Sequence, residues 1–323
     1  MKIILTGGAG FIGSCTLSRL NSIGIEDVIV VDAVKDPSSV PNLMGKKFKE
    51  YVGRDDLLPR LEKGQMNDVD LIIHLGACAD TTQMDRQFLA QNNVSYSQRL
   101  ARWALAQGKR FHYASSASIY GDGKNGYSDA DESHPAYAAL NPYGESKLEF
   151  DRWLIRENLP SKVVGYRYFN VFGPNEYHKG DMSSMVFKAY NQIRSTGRVQ
   201  LFATTRDGFE NGSEERDFVY VKDVLDVMTF FLEHPGRNGI FNVGTGKARS
   251  FKHLAEAVFA ALGKTPDIAY VPMPPALRRQ YQYFTQADLS KLRQAGYDRP
   301  FLPLEVSVAD YVTRHLMNKT PYF

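Results

Sequence analysis

Short apolar runs alternate with amphipathic stretches through the first half of the chain. The runs have the length of strands and few polar interruptions, which is typical of parallel strands covered on both faces. Helical patterns follow several of them, including one from about Phe11, one that runs toward Gly108 and one around Tyr143. The predicted strands are Lys2–Thr6, Asp27–Val31, Phe48–Val52, Asp70–His74, Phe111–Ser115, Val163–Tyr168, Asp217–Val221 and Gly239–Val243. The alternation predicts an α/β fold with a doubly wound parallel sheet.

The rhythm of strands and helices breaks beyond about Asn170. Glycine, proline and charged residues interrupt the alternation, and residues 203–215 are predicted to form a long polar loop. We expect the strand-like segment 217–221 to return to the sheet. A length of 323 residues also exceeds one typical domain. We therefore expect a dinucleotide-binding domain of residues 1–170 plus about 217–246. A smaller α/β substrate-binding domain would comprise 171–216 plus about 247–323.

Composition excludes some classes of protein. The net charge of +3 is spread over the chain without a basic stripe, so nucleic acid is not an expected partner, although a small anionic ligand is compatible. Cys15 and Cys78 fit a reducing compartment, and His74 with Cys78 supplies too few ligands for a metal site. The first residues show no signal-peptide pattern, and no apolar run approaches the ~18 residues of a membrane span. We expect a soluble, cytoplasmic protein.

A glycine-rich turn follows the first predicted strand. In Gly7-Gly-Ala-Gly-Phe-Ile-Gly13 the glycines permit a tight turn and close approach to a pyrophosphate at the N-terminus of the next helix. Asp32 ends the second strand, where it can accept hydrogen bonds from an adenosine ribose. This Rossmann pattern predicts a nicotinamide dinucleotide, and Asp32 favours NAD. Four cations in the following loops leave NADP open because they can neutralise a 2′-phosphate: Lys35, Lys46, Lys47 and Arg54.

The ends of two later strands carry residues suited to the same edge of the sheet. Small residues in His74-Leu-Gly-Ala-Cys-Ala-Asp80 suit a loop that skirts the cofactor, and Asn92 in the following helix can contact that loop or the cofactor. Hydroxyl groups end the fifth strand at Ser115, Ser116 and Ser118. Ligands bind at the carboxyl edge of such sheets, so one of these hydroxyls can hold a sugar hydroxyl or ketone.

Two tyrosines precede a lysine by four residues. The spacing is common by chance in a chain with 18 tyrosines, so position must decide between them. Tyr120 and Lys124 are separated by two glycines and are expected in a loop. Tyr143 and Lys147 are predicted to lie one turn apart on a helix, where the ammonium can lower the phenol pKa and make Tyr143 an acid or base.

Together these segments and Arg167-Tyr-Phe-Asn-Val-Phe-Gly-Pro174 resemble the extended short-chain dehydrogenase/reductase family, most members of which act on nucleotide-diphosphate sugars. The resemblance implies that Ser116, Tyr143 and Lys147 are catalytic. Dehydratases of the family carry an acidic pair where this chain has Ala117 and Ser118, so elimination is disfavoured and epimerisation or reduction remains. The implied cofactor-binding residues are Gly7, Gly10, Phe11, Ile12, Gly13, Asp32, Ala33, Arg54, Leu75, Gly76, Ala77, Cys78, Asn92, Tyr143, Lys147, Val171 and Lys179.

Within that family the chain is similar to the heptose 6-epimerases, chiefly through Asn175-Glu-Tyr-His-Lys-Gly-Asp-Met-Ser-Ser184 and Tyr281-Gln-Tyr-Phe-Thr-Gln-Ala-Asp-Leu289. The resemblance implies transient oxidation of C6 of ADP-heptose, a precursor of the lipopolysaccharide inner core, and re-reduction on the opposite face. It makes Lys179 the second acid or base, with His178 and Asp181 tuning its ammonium and Gly180 allowing close approach of the backbone. The implied substrate contacts are Ser116, Asn170, Asp181, Lys188, Phe202, Arg216 and Tyr281.

Some positions depart from the pattern of the 6-epimerases. Ala33 and Ser39 stand where the family has Asn and Lys, so NADP, which the resemblance implies, and NAD both remain possible as the one tightly bound cofactor per subunit. Asp181 and Lys188 also replace the usual residues. The resemblance further implies a homo-oligomer, a pentamer or an assembly of pentamers. The alternatives are another epimerase or reductase of the family, such as a UDP-hexose 4-epimerase, and a non-catalytic NAD(P)-binding sensor.

Overall fold

The computed structural model describes residues 1–34, 40–130, 136–205, 208–278 and 281–323. Lys35 and Ser39 lie outside the described residues. Seven parallel strands form the main sheet in the order β11-β6-β5-β4-β1-β2-β3. These strands are β1 (Ile3–Thr6), β2 (Val28–Asp32), β3 (Glu50–Gly53), β4 (Leu71–His74), β5 (Arg110–Ser116), β6 (Val164–Tyr168) and β11 (Gly239–Val243).

Helices cover both faces of the sheet, as the side chains of its strands show. Along β1, Ile3 and Leu5 join one buried apolar cluster and Ile4 joins a second. The first cluster includes Leu17 of helix α1 (Phe11–Ser22), and the second includes Leu57 of helix α2 (Arg54–Glu62). Because neighbouring residues of a strand point to opposite faces, the sheet is buried on both sides. The predicted doubly wound fold is confirmed.

The helices account for most of the remaining regular structure. The predicted long helix toward Gly108 is present as α3 and α4, joined without interruption by a π-helical turn at Ala90–Ser95. The α-helices are α1 (Phe11–Ser22), α2 (Arg54–Glu62), α3 (Arg86–Leu89), α4 (Tyr96–Ala106), α5 (Pro142–Arg156), α6 (Met185–Thr196), α7 (Val221–Glu233), α8 (Phe251–Ala261), α9 (Pro275–Arg278), α10 (Ser290–Gln294) and α11 (Leu304–Tyr311). No helix among the described residues is long and apolar enough to cross a membrane.

Among the described residues, three two-stranded sheets lie outside the main sheet. They are β7 (Asn170–Phe172) with β10 (Phe218–Tyr220), β8 (Val199–Phe202) with β13 (Ile268–Val271), and β9 (Glu215–Arg216) with β12 (Arg249–Ser250). The prediction that 217–221 returns to the main sheet is wrong, because β10 pairs with β7. The main sheet ends instead at β11, which takes the place beside β6. The prediction of two domains stays untested, and the largest apolar cluster contains residues of both predicted parts, for example Val30 and Val308.

Candidate functional site

A cleft of about 1170 Å³ opens at the carboxyl edge of the main sheet. Its walls come from the glycine-rich turn, the ends of β2, β4 and β5, helix α5, and the segment that leads into α6. A cavity of this size exceeds the usual range for one small ligand, which is roughly 300–1000 Å³. The cleft can therefore hold a dinucleotide and a second molecule side by side.

The glycine-rich turn forms a cradle that side chains would fill. Gly7 has φ +68°, and a Cβ there would lie 2.7 Å from the backbone nitrogen of Gly76. A Cβ on Gly13 would lie 2.0 Å from the carbonyl oxygen of Gly7. The glycines therefore let the turn pack against α1 and the end of β4, which exposes the N-terminus of α1 to the cleft. These observations fit a bound pyrophosphate.

Asp32 holds the turn from the end of β2. Its carboxylate accepts hydrogen bonds from the backbone nitrogens of Ala9 at 2.9 Å and Ala33 at 2.7 Å. Arg54 also lines the cleft, and its guanidinium lies 5.3 Å from the centre of the Tyr96 ring. The site thus combines a carboxylate, which suits ribose hydroxyls, with one described cation of the predicted set.

Two other predicted cations have partners away from a ribose phosphate. The Nζ of Lys46 donates to the backbone oxygen of Phe323 at 2.5 Å, and the Nζ of Lys47 pairs with Glu26 at 2.6 Å. Neither residue lines the cleft. Of the described cations proposed to neutralise a 2′-phosphate, Arg54 therefore has the position to do so.

Asn93 organises the loop after β4, a role that the sequence reasoning missed. Its side chain accepts a hydrogen bond from the backbone nitrogen of Cys78 at 2.9 Å and donates to the backbone oxygen of Cys78 and to Ser146 on α5. The predicted Asn92 lines the cleft and donates to Asn93 at 2.8 Å. Both asparagines lie in the π-helical turn, a distortion often found at functional sites.

His74, at the end of β4, forms hydrogen bonds with Thr6 and Ser97. Burial lowers the pKa of His74 to about 3, which keeps its ring neutral.

The helix that carries Tyr143 and Lys147 begins as the sequence suggests. Asn141 caps α5 by accepting a hydrogen bond from the backbone nitrogen of Gly144, and Pro142 opens the first turn. A Cβ on Gly144 would lie 2.8 Å from Ala139 and about 3 Å from Ser118, so glycine lets α5 approach the end of β5. The helix therefore brings Tyr143 and Lys147 beside the serines.

Ser116 is the serine that faces Tyr143. A side-chain hydrogen bond from Ser116 lowers the pKa of the Tyr143 phenol, whereas burial, the larger effect, raises it. Ser118 also lines the cleft and lies 2.7 Å from Ser116, oxygen to oxygen. The hydroxyl group of Ser115 instead donates a hydrogen bond to Asp151 at 3.0 Å. The structure thus selects Ser116 from the three candidates.

Lys147 does not act on Tyr143 as the sequence suggested. Burial lowers the pKa of Lys147 to about 8, and its Nζ donates to the backbone oxygen of Ala114 at 2.9 Å. The groups that shift the Tyr143 pKa are Ser116 and Cys78 rather than Lys147. The predicted lowering of the phenol pKa by the ammonium is therefore wrong for the protein alone, because the carbonyl group of β5 engages that ammonium.

A buried ion pair supports this wall of the cleft. Asp151, one turn beyond Lys147 on α5, accepts hydrogen bonds from Arg167 at 3.0 Å and from Tyr113 at 2.8 Å. Both side chains of the ion pair are fully buried. Buried charges of this kind require their partners, so the pair fixes α5 against β5 and β6.

Tyr120 and Lys124, the other pair with this spacing, lie where the sequence predicted. Gly121 and Gly123 have φ of +60° and +78°, which ends the helical turn after Tyr120. Tyr120 is buried and donates to Asn242 at 2.5 Å, while Lys124 pairs with Asp122 on the surface. The prediction of a loop is confirmed.

Lys179 reaches the cleft from a separate segment. It lies in the 3₁₀-helical stretch Tyr177–Met182, and its Nζ is 5.4 Å from the centre of the Phe11 ring at the start of α1. Burial lowers the Lys179 pKa, the charge of Glu176 raises it, and Lys188 lowers it. An ammonium with a lowered pKa is suited to exchange protons.

The neighbours of Lys179 in the chain differ in their burial and contacts. Glu176, which the sequence reasoning missed, is fully buried, and it accepts hydrogen bonds from the backbone and hydroxyl of Ser184. His178 and Asp181 line the cleft, and burial first and the charge of Lys179 second lower the pKa of His178. The predicted tuning of Lys179 by these two residues stays a prediction. Gly180 has φ +52°, a backbone conformation that favours glycine, and a Cβ there would meet no protein atom within 4 Å. The predicted close approach of its backbone to a ligand stays a prediction.

Asn42 ties this segment to the glycine-rich turn. Its buried amide donates to the backbone oxygens of Ala9 and Asn175, both at 3.1 Å. The same nitrogen lies 3.3 Å from Nδ1 of His178. No pattern in the sequence links residue 42 to residue 175. The contact exists because the fold brings the two loops together.

The structure brings every predicted site residue to the lining of the cleft except Arg216. Arg216 is buried behind Tyr281, with its guanidinium 5.1 Å from the centre of that ring and 5.6 Å from the centre of Phe251. Lys188, in the first turn of α6, donates to the backbone oxygen of Asp181 at 2.7 Å. The predicted residues that line the far end are Asn170, Asp181, Lys188, Phe202 and Tyr281. The roles of these residues as substrate contacts stay predictions.

Comparisons with known proteins agree with this geometry. The chain is 46% identical to ADP-L-glycero-D-manno-heptose-6-epimerase of Nitratidesulfovibrio vulgaris (strain Hildenborough) over 320 residues, which covers 99% of each chain. It is similar in structure to an ADP-L-glycero-D-manno-heptose-6-epimerase of Helicobacter pylori, with a TM-score of 0.79, 28% identity, and 97% and 95% of the two chains covered. A Thermus thermophilus UDP-glucose 4-epimerase in complex with NAD gives a TM-score of 0.77 at 26% identity, with 97% and 98% covered.

A family model described as the NAD dependent epimerase/dehydratase family matches residues 3–244. The matched region contains the glycine-rich turn, Ser116, Tyr143, Lys147 and Lys179. With this match and the 46% identity over the full length, the chain belongs to the NAD dependent epimerase/dehydratase family.

Proposed function

We propose that this enzyme inverts C6 of ADP-D-glycero-β-D-manno-heptose to give ADP-L-glycero-β-D-manno-heptose, a precursor of the lipopolysaccharide inner core. The observation that carries the proposal is the second proton-exchanging group in one cleft. Lys179 lines the same cleft as Ser116 and Tyr143, and it comes from a different segment of the chain. The names of relatives that align over nearly the whole chain support the same reaction.

C6 carries no acidic hydrogen, so its inversion requires transient oxidation rather than simple deprotonation. An acid or base is needed on each face of the 6-carbonyl group, because one fixed phenol cannot serve both geometries. When bound, the nicotinamide supplies reversible acceptance of hydride, which gives a transient 6-ketone. Tyr143 exchanges the proton of the 6-hydroxyl group on one face, with Ser116 bonded to its phenol. Lys179 exchanges that proton when the other face is presented. When the nicotinamide cofactor is bound, Lys147 would hold its ribose through the ammonium. Ala117 and Ser118 in place of acidic residues disfavour loss of water.

For the choice of cofactor we propose NAD. The Asp32 carboxylate lines the cleft and would repel a 2′-phosphate, and Lys46 and Lys47 are paired elsewhere. Arg54 is the described residue that opposes this preference. The test is competition between NAD and NADP for the enzyme stripped of cofactor, measured by restored epimerisation. Tighter binding of NADP would overturn the preference.

The reaction is tested with purified enzyme and ADP-D-glycero-β-D-manno-heptose, with the configuration at C6 followed by NMR with and without added NAD. We expect conversion toward a mixture of both epimers without net consumption of NAD. UDP-glucose is the control substrate. Turnover of UDP-glucose at C4, with no inversion of the heptose, would contradict the proposal and favour a hexose 4-epimerase. The cytoplasmic location, the pentameric assembly and the division into two domains stay predictions.

A further inference from the structure

Asn175 begins the segment that carries Lys179, and its backbone has an unusual conformation. Its φ is +75°, and Asn158 is the other described residue besides glycine with a positive φ. This conformation is unfavourable for residues that have a Cβ, so it persists where the surrounding structure holds it in place. Asn175 is fully buried, and neither the sequence pattern nor the resemblance gave it a role of its own.

The side chain of Asn175 joins two distant parts of the chain. Its Nδ2 donates to the hydroxyl oxygen of Ser14 on α1 at 2.9 Å and to the backbone oxygen of Phe323 at 3.3 Å. Its Oδ1 accepts from the backbone nitrogen of Phe323 at 2.9 Å. Because a backbone N–H only donates and a carbonyl group only accepts, these bonds also fix the orientation of the amide. Asn175 therefore pairs with both backbone groups of one residue while it is tied to a helix.

Residues 321–323 hold the same segment at a second point. The hydroxyl group of Tyr177 donates to the backbone oxygen of Pro321 at 2.8 Å. The ammonium group of Lys46 donates to the backbone oxygen of Phe323 at 2.5 Å, which anchors residues 321–323 to the loop after β2. The segment before Lys179 is thus enclosed by a stretch of chain that is itself held in place.

The position of Asn175 is passed to Lys179 over a single turn. The backbone nitrogen of Lys179 donates to the backbone oxygen of Glu176 at 3.0 Å, which closes the turn between them. Asn175 bonds Ser14, and the Nζ of Lys179 lies 5.4 Å from the centre of the Phe11 ring. Phe11 and Ser14 are three residues apart on α1. The segment is therefore aligned along α1 at two points, with Lys179 at the end of the helix that faces the cleft.

We infer that Asn175 is a positioning residue, whose amide, bonded to Ser14 and Phe323, places Lys179 in the cleft. Asn175 does not line the cleft, so it acts through the backbone and not on substrate or cofactor. The inference rests on the proposed function in that Lys179 is taken to exchange a proton on one face of the ketone. Loss of the amide should therefore impair the step that depends on Lys179 and spare the step that depends on Tyr143.

The test is hydride transfer from each heptose epimer to bound NAD in a single turnover, followed by the near-ultraviolet absorbance of reduced nicotinamide. Asn175→Gly removes the amide but keeps a residue that adopts a positive φ freely. The epimer whose oxidation requires Lys179 is identified with Lys179→Ala. We expect Asn175→Gly to slow that epimer by about 10–100-fold, the effect of a displacement of about 1 Å, and to leave the rate of the other epimer unchanged.

A second variant approaches the same contact from its other side. Deletion of residues 321–323 removes both backbone partners of the amide at Phe323 without altering the segment that carries Lys179. It should show the same selective loss, and it serves as the test if Asn175→Gly does not fold. Binding of NAD shows that each variant is folded. Equal slowing of both epimers in the folded variants would assign Asn175 a general role in stability and overturn the inference, as would unchanged rates.

Asn158→Gly is the matched control. It makes the same substitution at a positive φ of +56°, but Asn158 is exposed just after α5 and does not line the cleft. Both epimers should react with this variant at the wild-type rate. A selective loss in Asn158→Gly as well would show that added backbone freedom, and not the bonds of Asn175, causes the effect, which would also overturn the inference.

The reactivity of Lys179 gives a measurement that needs no substrate. Burial lowers the pKa of Lys179 below 10.5, and the charges that act on it are those of Glu176 and Lys188. The pKa is obtained from the rate of acetylation by acetic anhydride at different pH values, with mass spectrometry. It should rise toward 10.5 in Asn175→Gly and stay unchanged in Asn158→Gly.

The two measurements separate this inference from the proposed reaction. If the pKa of Lys179 rises in Asn175→Gly but the wild-type enzyme inverts no heptose, the proposed function fails and the positioning role of Asn175 stands. If the wild-type enzyme inverts C6 and neither the pKa of Lys179 nor the rate with either epimer changes in Asn175→Gly, the reaction stands and the inference fails.

Discussion

The two walls of the cleft hold their acid and base groups in different ways. Tyr143 and Ser116 lie on a long helix and a strand of the main sheet, and the buried pair of Asp151 and Arg167 locks these elements together. Lys179 lies on a 3₁₀-helical segment that is interrupted at Gly180. One wall therefore depends on regular structure, and the other depends on individual contacts between distant parts of the chain.

Those contacts explain how an irregular segment can hold a catalytic group. Asn42, in the 3₁₀-helical turn Pro41–Leu43, bonds the backbone of Asn175, and Glu176 bonds Ser184, which caps α6. Phe323 also donates its backbone nitrogen to Asn175 at 2.9 Å. Each of these bonds restrains the segment at one point. The comparison suggests that the first wall resists substitution through its packing, whereas the second is sensitive at each anchoring residue.

Removing the acid or base from either wall should have the largest effect. We expect Tyr143→Phe and Lys179→Ala each to lower kcat for C6 inversion by ~10²–10⁴-fold, the usual contribution of general acid–base catalysis. Both variants should still fold and bind NAD. Full activity in Lys179→Ala would remove the second wall from the mechanism.

A single-turnover measurement can separate the two walls. Each epimer is mixed with each variant, and the near-ultraviolet absorbance of reduced nicotinamide is followed. Because the two groups serve opposite faces, each variant should still transfer hydride from one epimer to its cofactor. Tyr143→Phe should do so with one epimer and Lys179→Ala with the other. If both variants fail with the same epimer, the two residues act on the same face of the ketone, and the assignment of one residue to each face is wrong.

The buried ion pair tests the rigidity of the first wall. Asp151→Asn leaves Arg167 as a buried charge without its carboxylate, so the free energy of unfolding should fall by about 3–5 kcal/mol in urea denaturation. The control is Asp55→Asn, whose side chain is 94% exposed and which should change the free energy of unfolding by at most about 1 kcal/mol. Equal losses in the two variants would show that the pair does not lock α5 to the sheet.

The pH dependence of stability tests the burial of Lys147. Its pKa is lowered from 10.5 to about 8, so between these values the folded protein binds fewer protons than the unfolded chain. Stability conferred by this group therefore rises with pH, by up to about 3 kcal/mol between pH 8 and 10.5. The wild-type free energy of unfolding should gain this amount relative to Lys147→Met, which has no ammonium to bury. A constant difference between the two proteins would contradict the lowered pKa.

The smallest effect expected is a local one in the second wall. Gly197→Ala places alanine at the left-handed helical φ +76°, ψ −1°, which should cost about 1–2 kcal/mol of stability, and Gly180→Ala places it at φ +52°, ψ −125°, which should cost about 1–3 kcal/mol. Gly180 adjoins Lys179, whereas Gly197 only ends α6. We expect a loss of kcat in Gly180→Ala alone. Equal activities would mean that the second wall tolerates displacement of its backbone.

The sequence predicted the first wall well because its signals are local. The cap at Asn141 and the helical spacing of Tyr143 and Lys147 depend on neighbouring residues, and α5 confirms them. The prediction that 217–221 returns to the main sheet failed because a strand pattern shows that a segment is extended and buried but not which strand pairs with it. Glu176, whose charge raises the pKa of Lys179, was missed because the sequence does not show that its side chain is buried within the fold.

By itself, the sequence determined the doubly wound sheet, the glycine-rich turn and the helix with Tyr143 and Lys147, since alternation, backbone freedom and helical periodicity are properties of adjacent residues. The tertiary structure alone decided that Lys147 bonds a carbonyl group of β5 and that Asn42 joins the glycine-rich turn to the segment of Asn175. These facts depend on burial and on distances between residues far apart in the chain. Both quantities arise only when the chain packs, because packing removes water and brings remote groups within hydrogen-bond distance.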